Sequence, residues 1–323
     1  MKEKLLILGS SGMVGSSVAR LAKNDFSILS PNRRELDLFD KVKVDSYFQK
    51  KRPSHVINCA AKAGGIYANS TFPADFIYEN LLMQNNIIFA CHKYKVKRLV
   101  FLGSSCIYPR DCKQPIKEDY LLTSTLEKTN EYYAIAKIAG LKMIEAFNKQ
   151  YDHNYISIMP TNIYGINDNF HPNNSHVIPA LIEKIYNGFS KNKKNIKLWG
   201  TGKALRDFLY VDDVARAILL LTKYYNKNEL INVGSGKEIT IKLLSQLISE
   251  VIGYKGQIIF DKSYPDGTPR KILDISRIKA MGWKPIYNLK NGLKKTIEWY
   301  ILNKKNIKKN KSYRNFLGIY SNK

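Results

Sequence analysis

The amino-acid sequence predicts an α/β fold built on a doubly wound parallel sheet. In the first half of the chain, short apolar runs of β type alternate with amphipathic stretches, which is the pattern of such a sheet. The first of these runs leads into a turn with glycines at positions 9, 12 and 15. After Gly165 the alternation gives way to a polar, turn-rich segment. We therefore expect a Rossmann-type domain over residues 1–165 and a smaller C-terminal α/β substrate domain over residues 166–302.

The individual elements follow from the period of the apolar residues and from the turns between them. In the first domain we expect strands at residues 4–8, 26–29, 56–58, 99–102 and 155–159. Helices are expected after Gly12 and near residues 41–50, 74–94 and 133–150. In the second domain we expect helices at 177–186 and 241–252, and strands ending at Trp199 and near 207–211, 231–233 and 256–260. A segment near 206–223 is expected to return to the first sheet, and residues 303–323 form a Lys-rich tail.

The strong positive charge of the chain does not indicate a nucleic-acid partner. The formal net charge is +25, and the basic residues are 41 Lys and only 11 Arg, scattered rather than interleaved with aromatic residues. Base readout favours Arg, and an RNA-binding sheet carries stacking aromatics in a regular pattern. The charge is better explained by a lysine-biased composition with some attraction for anionic substrates.

Neither a membrane segment nor a disulfide framework is expected. No stretch reaches the roughly 18 consecutive apolar residues of a membrane span, and the N-terminal apolar run is too short for a signal peptide. The four cysteines, at positions 59, 91, 106 and 112, form no CxxC pair. This usage fits a reducing compartment, so we expect a cytoplasmic protein without a metal site.

The glycine turn predicts a dinucleotide site. Gly9, Gly12 and Gly15 stand between a strand and a helix, where glycines let the backbone approach a pyrophosphate at the helix N-terminus. The region after the second strand lacks the acidic residue that usually binds the ribose of NAD. It carries Arg33 and Arg34 instead, whose guanidinium groups match a phosphate. The sequence therefore predicts NADP rather than NAD.

A tyrosine and a lysine one helical turn apart predict the acid of a reductase. Tyr133 and Lys137 share a helix face about 120 residues after the glycine turn, whereas Tyr132 points off that face. Lys137 is expected to lower the pKa of Tyr133 and to hold the nicotinamide ribose. Ser104, in the turn after the fourth strand, is positioned to donate a hydrogen bond to a substrate carbonyl.

These features resemble the extended short-chain dehydrogenases/reductases, and among them the GDP-L-fucose synthases, which act as 3,5-epimerases and 4-reductases. The resemblance covers about residues 4–302. It rests on motifs that include Gly103-Ser-Ser-Cys-Ile-Tyr-Pro109, Tyr133-Ala-Ile-Ala-Lys-Ile-Ala-Gly140, Asp168-Asn-Phe-His-Pro172 and Asp266-Gly-Thr-Pro-Arg-Lys271.

The resemblance implies a bifunctional site on a GDP-sugar, in a homodimer. Cys106 and His176 match the family's epimerising acid/base pair, although alone they would be a core cysteine and a loop histidine. Substrate contacts are implied for Asn162, His176, Lys184, Trp199, Arg206, Asp266 and Lys271. Cofactor contacts are expected from Gly9, Ser11, Gly12, Met13, Val14, Gly15, Arg33, Leu102, Gly103, Ser105, Lys137 and Asn162. Lys184 stands where some relatives carry arginine, which weakens a bidentate contact. Ser11 stands where an arginine of relatives contacts the cofactor, which gives Arg33 and Arg34 more weight.

Three other functions stay open at this point. The chain could catalyse the same reduction on another GDP-4-keto sugar, such as a heptose, without epimerisation. It could be an NADP-sensing module, although a sensor has no need of the proton donor that Ser104, Tyr133 and Lys137 provide. Nucleic-acid binding is disfavoured by the lysine bias described above.

Overall fold

The computed structural model describes residues 2–171, 174–264 and 266–309 and confirms the α/β fold. Every strand is short. The strands are β1 (Lys4–Leu8), β2 (Ser27–Leu29), β3 (His55–Asn58), β4 (Arg98–Leu102), β5 (Ile156–Pro160), β6 (Asn162–Tyr164), β7 (Asn195–Trp199), β8 (Leu205–Tyr210), β9 (Ile231–Val233), β10 (Glu238–Thr240), β11 (Gln257–Asp261) and β12 (Arg270–Lys271).

The helices vary much more in length than the strands. They are α1 (Met13–Leu21), α2 (Lys41–Lys51), α3 (Ile66–Thr71), α4 (Pro73–Lys93), α5 (Glu131–Tyr151), α6 (Val177–Ser190), α7 (Val211–Tyr224), α8 (Ile241–Ile252), α9 (Ser276–Ala280) and α10 (Leu289–Lys309). Three single 3-10 turns lie between β4 and α5.

Six strands form one parallel sheet in the order β2-β1-β3-β4-β5-β9. Alternate residues of β1 belong to different cores. Leu5 and Ile7 pack with Val18 of α1 and with residues of α7, while Leu6 and Leu8 pack with residues of α2 and α4. Because both faces of the sheet are covered by helices, β1 is apolar from Leu5 to Leu8 rather than alternating with polar residues. The doubly wound sheet predicted from this pattern is therefore confirmed.

The glycine turn is held to the sheet by a contact between two helices on the same face. Ser17 of α1 donates a buried hydrogen bond of 2.6 Å to the carboxylate of Asp212 in α7, and Arg20 pairs with the same carboxylate. A buried charge-assisted bond of this kind gives the two helices one relative position. It therefore anchors α1, whose first residues follow the glycine turn.

The second half of the chain forms two small sheets with their own core. β8 lies between β10 and β12 and also pairs with β6, while β11 pairs with β7. A core that includes Phe170, Ile182 and Tyr300 joins α6, α8 and α10 to these strands. β6 and β8 are parallel neighbours, and β6 begins two residues after β5 ends, so this second half of the chain starts at the carboxyl edge of the large sheet.

The chain crosses between the two halves more than once. Of the segment near 206–223, β8 belongs to the second half, whereas α7 packs against β4 and β5 of the large sheet. The strand that completes this sheet is β9, at Ile231–Val233. The division into domains at residue 165 stays a prediction. Helix α10 continues past residue 302, the expected end of the second domain, to Lys309. The tail beyond Lys309 and Pro172 of the quoted motif lie outside the described residues.

Candidate active site

The glycine turn after β1 forms a close-packed cradle. Gly9 has a φ of +75°, and a Cβ there would lie 2.9 Å from the backbone of Ala60. A Cβ on Gly15 would collide with the carbonyl oxygen of Gly9. The N-cap is Gly12, so no N-cap side chain accepts a hydrogen bond from the first N–H groups of α1, and the preceding Ser11 is exposed. This geometry fits the pyrophosphate of a dinucleotide, which binds to such N–H groups.

The turn after β2 presents the two arginines expected at the adenosine end. Arg33 and Arg34 are exposed, and the Arg33 guanidinium lies 5.2 Å from the centre of the Phe39 ring. The nearby Glu35 carboxylate accepts a 2.8 Å hydrogen bond from the backbone N–H of Asn32. The Glu35 carboxylate is thus already bonded to the backbone of the same turn. The assignment of Arg33 to the cofactor stays a prediction.

Helix α5 brings Tyr133 and Lys137 to the carboxyl edge of the sheet. The Lys137 side chain is 3% exposed, and its ammonium donates a 2.8 Å hydrogen bond to the carbonyl of Leu102 at the end of β4. The same ammonium lies 5.9 Å from the centre of the Tyr133 ring. The shared face predicted from the four-residue spacing is therefore present. Burial lowers the pKa of Lys137 to about 8.

Ser104 and Tyr133 face each other, but the expected effect on the tyrosine was wrong. Burial raises the pKa of the Tyr133 phenol, the Cys106 sulfur raises it further, and the hydrogen bond with Ser104 only partly offsets them. Lys137 was expected to lower this pKa. The charge of Lys137 does not lower the pKa of Tyr133, because the ammonium is directed to the Leu102 carbonyl. Desolvation also penalises the phenolate more than a nearby charge stabilises it.

The backbone around β4 leaves little room beside these residues. The Gly103 N–H donates a 2.9 Å hydrogen bond to the Ile158 carbonyl, and a Cβ at Gly103 would collide with the Met159 side chain. Ser105 is 4% exposed and buried beside the end of β4, and its assignment to the cofactor stays a prediction. Asn162 donates a 2.9 Å hydrogen bond to the carbonyl of Asp207, which fixes the orientation of its amide. Met13 and Val14, on the first turn of α1, are partly buried.

Cys106 lies among polar groups, unlike a core cysteine. Its sulfur accepts a hydrogen bond of 3.3 Å from the Asn130 amide and one of 3.7 Å from the Lys271 ammonium. Lys271 also acts on His176: desolvation and then this positive charge hold the pKa of His176 below its usual range. Lys271 therefore connects the two residues of the predicted pair.

A second loop brings His176 to this edge of the sheet. His176 is the N-cap of α6, and the segment before it packs on the loop after β3. The Gly65 N–H donates a 3.2 Å hydrogen bond to the Asn174 carbonyl, and a Cβ at Gly65 would lie 2.6 Å from the Ser175 carbonyl oxygen. Only glycine permits this approach, so the loop after β3 determines where His176 stands.

The residues expected to bind the nucleotide lie in the C-terminal half of the chain. The Lys184 ammonium lies 4.7 Å from the centre of the Trp199 ring, and burial lowers its pKa. The Asp266 carboxylate accepts hydrogen bonds of 2.7 Å and 2.6 Å from Thr201. Although burial opposes it, these bonds and the Arg206 charge hold the pKa of Asp266 below its usual range. Asp266 thus braces the wall of the cleft.

Two residues of the site were not expected from the sequence. Asn130 holds the Cys106 sulfur, and its position just before α5 could have been read as an N-cap, but nothing local indicated a thiol partner. Tyr264 stacks on Trp199 and had no signal, because 65 residues separate the two rings. In the part of the chain that the structure describes, no group of three or more potential metal ligands occurs, and no helix is apolar and long enough to span a bilayer.

Comparison with known proteins agrees with this geometry. Residues 5–234 match the NAD dependent epimerase/dehydratase family. The GDP-L-fucose synthase of Sinorhizobium fredii is 48% identical over 302 residues, which cover 93% of this chain and 96% of the relative. That of Escherichia coli is 47% identical over 313 residues, covering 94% and 98%.

A solved structure of a GDP-mannoheptose reductase from Campylobacter jejuni with NADP bound is also similar. It is 34% identical, covers 93% of this chain and 98% of its own, and superposes with a TM-score of 0.83. Together the sequence and structural matches extend over nearly the whole chain. The chain belongs to the NAD dependent epimerase/dehydratase family and, within it, to the GDP-L-fucose synthases.

Proposed function

We propose that this protein reduces carbon 4 of a GDP-4-keto-6-deoxy-hexose with NADPH and also epimerises carbons 3 and 5, as a GDP-L-fucose synthase does. One observation carries the proposal. Ser104, Tyr133 and Lys137 lie at the same edge of the sheet as Cys106, Lys271 and His176, so a reducing centre adjoins an acid/base centre. Family membership supports the same activity.

In the reduction, two residues act on the oxygen on carbon 4 and a third supports them. NADPH supplies the hydride when it is bound in the glycine cradle. Tyr133 donates a proton to the oxygen, and its raised pKa keeps the phenol protonated until that step. Ser104 donates a hydrogen bond to the same oxygen. Lys137, held by the Leu102 carbonyl, lies near the tyrosine ring and would hold the nicotinamide ribose when the cofactor is bound.

In the epimerisation, the ketone at carbon 4 makes the protons on carbons 3 and 5 acidic. Cys106, whose sulfur accepts hydrogen bonds from Asn130 and Lys271, removes such a proton. His176 then delivers a proton to the opposite face of the same carbon, so that one proton removed and one returned invert that centre. Lys184, Trp199, Arg206, Asp266 and Lys271 line the GDP-sugar site, where the cationic groups of Lys184 and Arg206 suit a diphosphate.

The runner-up is reduction of a GDP-4-keto-heptose without epimerisation, which the similarity to a GDP-mannoheptose reductase favours. Incubation of the enzyme and NADPH with GDP-4-keto-6-deoxy-mannose and with heptose analogues, with product stereochemistry determined by NMR, separates the two. A product inverted at carbons 3 and 5 supports the first function. Clean reduction of a heptose with no inversion on either substrate supports the second.

We also propose that the protein forms a homodimer through α4 and α5. These packed helices expose large apolar side chains that include Tyr78, Phe89 and Tyr151, with exposures of 52%, 44% and 45%. Such a surface suits an isologous contact between two copies. Sedimentation equilibrium measures the mass directly, and a monomer at micromolar concentration would contradict the proposal. A cytoplasmic location, with all four cysteines free, stays a prediction.

The cofactor preference tests the role of the two arginines. Because charge-assisted phosphate contacts contribute about 1.5–3 kcal/mol, kcat/KM should favour NADPH over NADH on the order of 10–150-fold. Arg33→Ala should lower kcat/KM for NADPH but leave that for NADH unchanged, since NADH has no 2′-phosphate. Steady-state kinetics with both cofactors measures this. Equal use of both by the wild type would contradict the assignment.

Tyr133→Phe should separate reduction from epimerisation. Without the proton donor, reduction should fall about 10²-fold or more, while solvent deuterium still enters carbons 3 and 5 of the keto sugar. NADPH oxidation and NMR report the two reactions independently. Tyr132→Phe is the matched control, because that phenol is 48% exposed and lies off the shared face. Near wild-type reduction by Tyr133→Phe would disprove the assigned role.

Cys106→Ser should give the opposite result. Serine retains size and hydrogen bonding but has a far higher pKa, so deuterium exchange at carbons 3 and 5 should be lost while an already epimerised keto sugar is still reduced. Cys112→Ser, at a partly buried cysteine in the same segment, is the control and should behave as the wild type. Normal exchange by Cys106→Ser would mean that another base acts.

The pH dependence of the reaction should reveal the titration of the buried Lys137. Lys137 has a pKa lowered to about 8, so its ammonium is present below that pH and is lost above it. Hence kcat/KM for NADPH, which reports the free enzyme, should decline as the pH rises through about 8. Lys137→Arg carries a charge that does not titrate in this range, and the decline should move upward. A wild-type profile that stays level to pH 10 would contradict this account.

A further inference from the structure

The loop after β3 carries a lysine whose charge is held by helix α4. The Lys62 side chain is 11% exposed, and its ammonium pairs with the carboxylates of Asp75 at 3.0 Å and Glu79 at 2.6 Å. The Glu79 side chain is equally enclosed, at 10% exposed. An ammonium has three donors, and α4 takes two of them. Lys62 therefore anchors the loop rather than binding a substrate.

The backbone of Lys62 is held by the same helix. Its N–H donates a 3.1 Å hydrogen bond to the side-chain oxygen of Asn80, and the Asn80 amide donates a 2.9 Å bond to the Lys62 carbonyl. Asn80 is 2% exposed, so both bonds are shielded from water. Residue 62 is thus fixed to the first two turns of α4 by its backbone as well as by its charge.

The start of this loop is fixed to the sheet without Lys62. The Cys59 N–H donates a 3.0 Å hydrogen bond to the Leu8 carbonyl at the end of β1. The next residue, Ala60, packs on the glycine cradle, where a Cβ on Gly9 would lie 2.9 Å from its nitrogen. Loss of the anchor at Lys62 should therefore leave the cofactor cradle intact.

The end of the loop contacts the segment that carries His176. Gly65, three residues after Lys62, donates its N–H to the Asn174 carbonyl at 3.2 Å. The same glycine approaches the Ser175 carbonyl oxygen so closely that a Cβ would lie 2.6 Å from it. His176 follows directly and begins α6. The anchor at Lys62 is thus connected to the histidine through a short stretch of backbone.

The reducing residues have an anchor of their own. Lys137 is bonded to the Leu102 carbonyl, and this bond sets the position of α5 and of Tyr133. One contact connects the two systems: the Lys62 ammonium lies 5.8 Å from the centre of the Phe76 ring, which meets the Tyr133 ring edge-on. A substitution that keeps an unbranched chain over this ring preserves that packing. Such a change should spare the reduction.

We propose that Lys62 is a positioning residue for epimerisation, because its ion pairs with Asp75 and Glu79 fix the loop that holds His176 in place. The proposal rests on the epimerase-reductase function proposed above and adds how one half of the acid/base pair is held. Proton transfer needs its groups within hydrogen-bond reach, so a displacement of about 1 Å can lower a rate on the order of 10²-fold.

The variants remove the charge of Lys62 with little change of shape. Lys62→Met keeps an unbranched chain of similar length. Lys62→Met/Glu79→Gln also removes the carboxylate that would otherwise stay buried without its partner, and it replaces the single variant if that variant is unstable. Lys93→Met is the matched control. Lys93 also belongs to α4 and pairs with Asp45 at 2.7 Å, but it lies in the last turn and is 47% exposed.

The first measurement compares two rates for each full-length variant. NMR follows the entry of solvent deuterium into carbons 3 and 5 of GDP-4-keto-6-deoxy-mannose, and NADPH oxidation follows reduction of an already epimerised keto sugar. Lys62→Met should lower the exchange about 10–10²-fold, while reduction and NADPH affinity stay within about 3-fold. Lys93→Met should match the wild type in both. In a His176→Gln background the fall should be distinctly smaller, because Lys62 acts through that histidine.

The second measurement needs no substrate. The His176 imidazole is titrated by NMR, its signal being identified among the five histidines by its loss in His176→Gln. Burial and the charge of Lys271 hold the pKa of His176 below its usual range. Release of the loop exposes the ring to water, which stabilises the imidazolium, so this pKa should rise in Lys62→Met. It should stay unchanged in Lys93→Met.

The outcomes separate this role from the proposed function. If the wild type exchanges deuterium but Lys62→Met exchanges normally, or loses exchange and reduction equally, the positioning role is disproved and the function stands. An unchanged titration of His176 in Lys62→Met disproves the role whatever the rates. A wild type that reduces but exchanges on no GDP-4-keto sugar refutes epimerisation itself, and this role with it. A selective loss of exchange with a raised pKa of His176 supports the proposal.

Discussion

The reaction centre depends on one buried ammonium group. Lys137 is almost fully enclosed, and its hydrogen bond to the Leu102 carbonyl joins α5 to the end of β4. A buried charge without a partner would be very costly, so this bond determines where α5 lies along the sheet. Tyr133, one turn earlier on α5, is thereby brought to Ser104 in the turn that follows β4. The position of the proton donor thus follows from the need to satisfy a lysine.

Features that arise from local spacing could be predicted from the sequence. The apolar run of β1, the glycine turn and the four-residue interval between Tyr133 and Lys137 each involve neighbouring residues, and all three appear in the structure as expected. The doubly wound sheet follows from repetition of the same pattern. Pairings between distant segments left no local sign. Lys271 reaches Cys106 across 165 residues, and without the family resemblance neither residue would have been assigned to a site.

The error about Tyr133 has a physical origin. Spacing alone shows that a phenol and an ammonium are neighbours, and in water such a neighbour would lower the pKa of the phenol. Spacing does not show desolvation, which depends on how α4 and the turn after β4 enclose the ring. Phe76 of α4 meets the Tyr133 ring edge-on at 6.2 Å, and enclosure of this kind prevails over the charge. The same consideration applies to His176, whose pKa is lowered by burial, and to Asp266, whose pKa is lowered by hydrogen bonds and Arg206 although burial opposes it. Spacing along the sequence predicts neither environment.

The late position of β9 in the sequence affects how the protein folds during synthesis. Residues 4–160 supply five strands of the large sheet, yet the edge of β5 stays unpaired until Ile231–Val233 has been made. By then the ribosome has also delivered β8, whose neighbours β10 and β12 are still to come. An unpaired edge is a site for wrong pairing with other chains. A nascent chain stalled or truncated before residue 231 therefore exposes the unpaired edge of β5. The large sheet is complete only after much of the second half of the chain has been made.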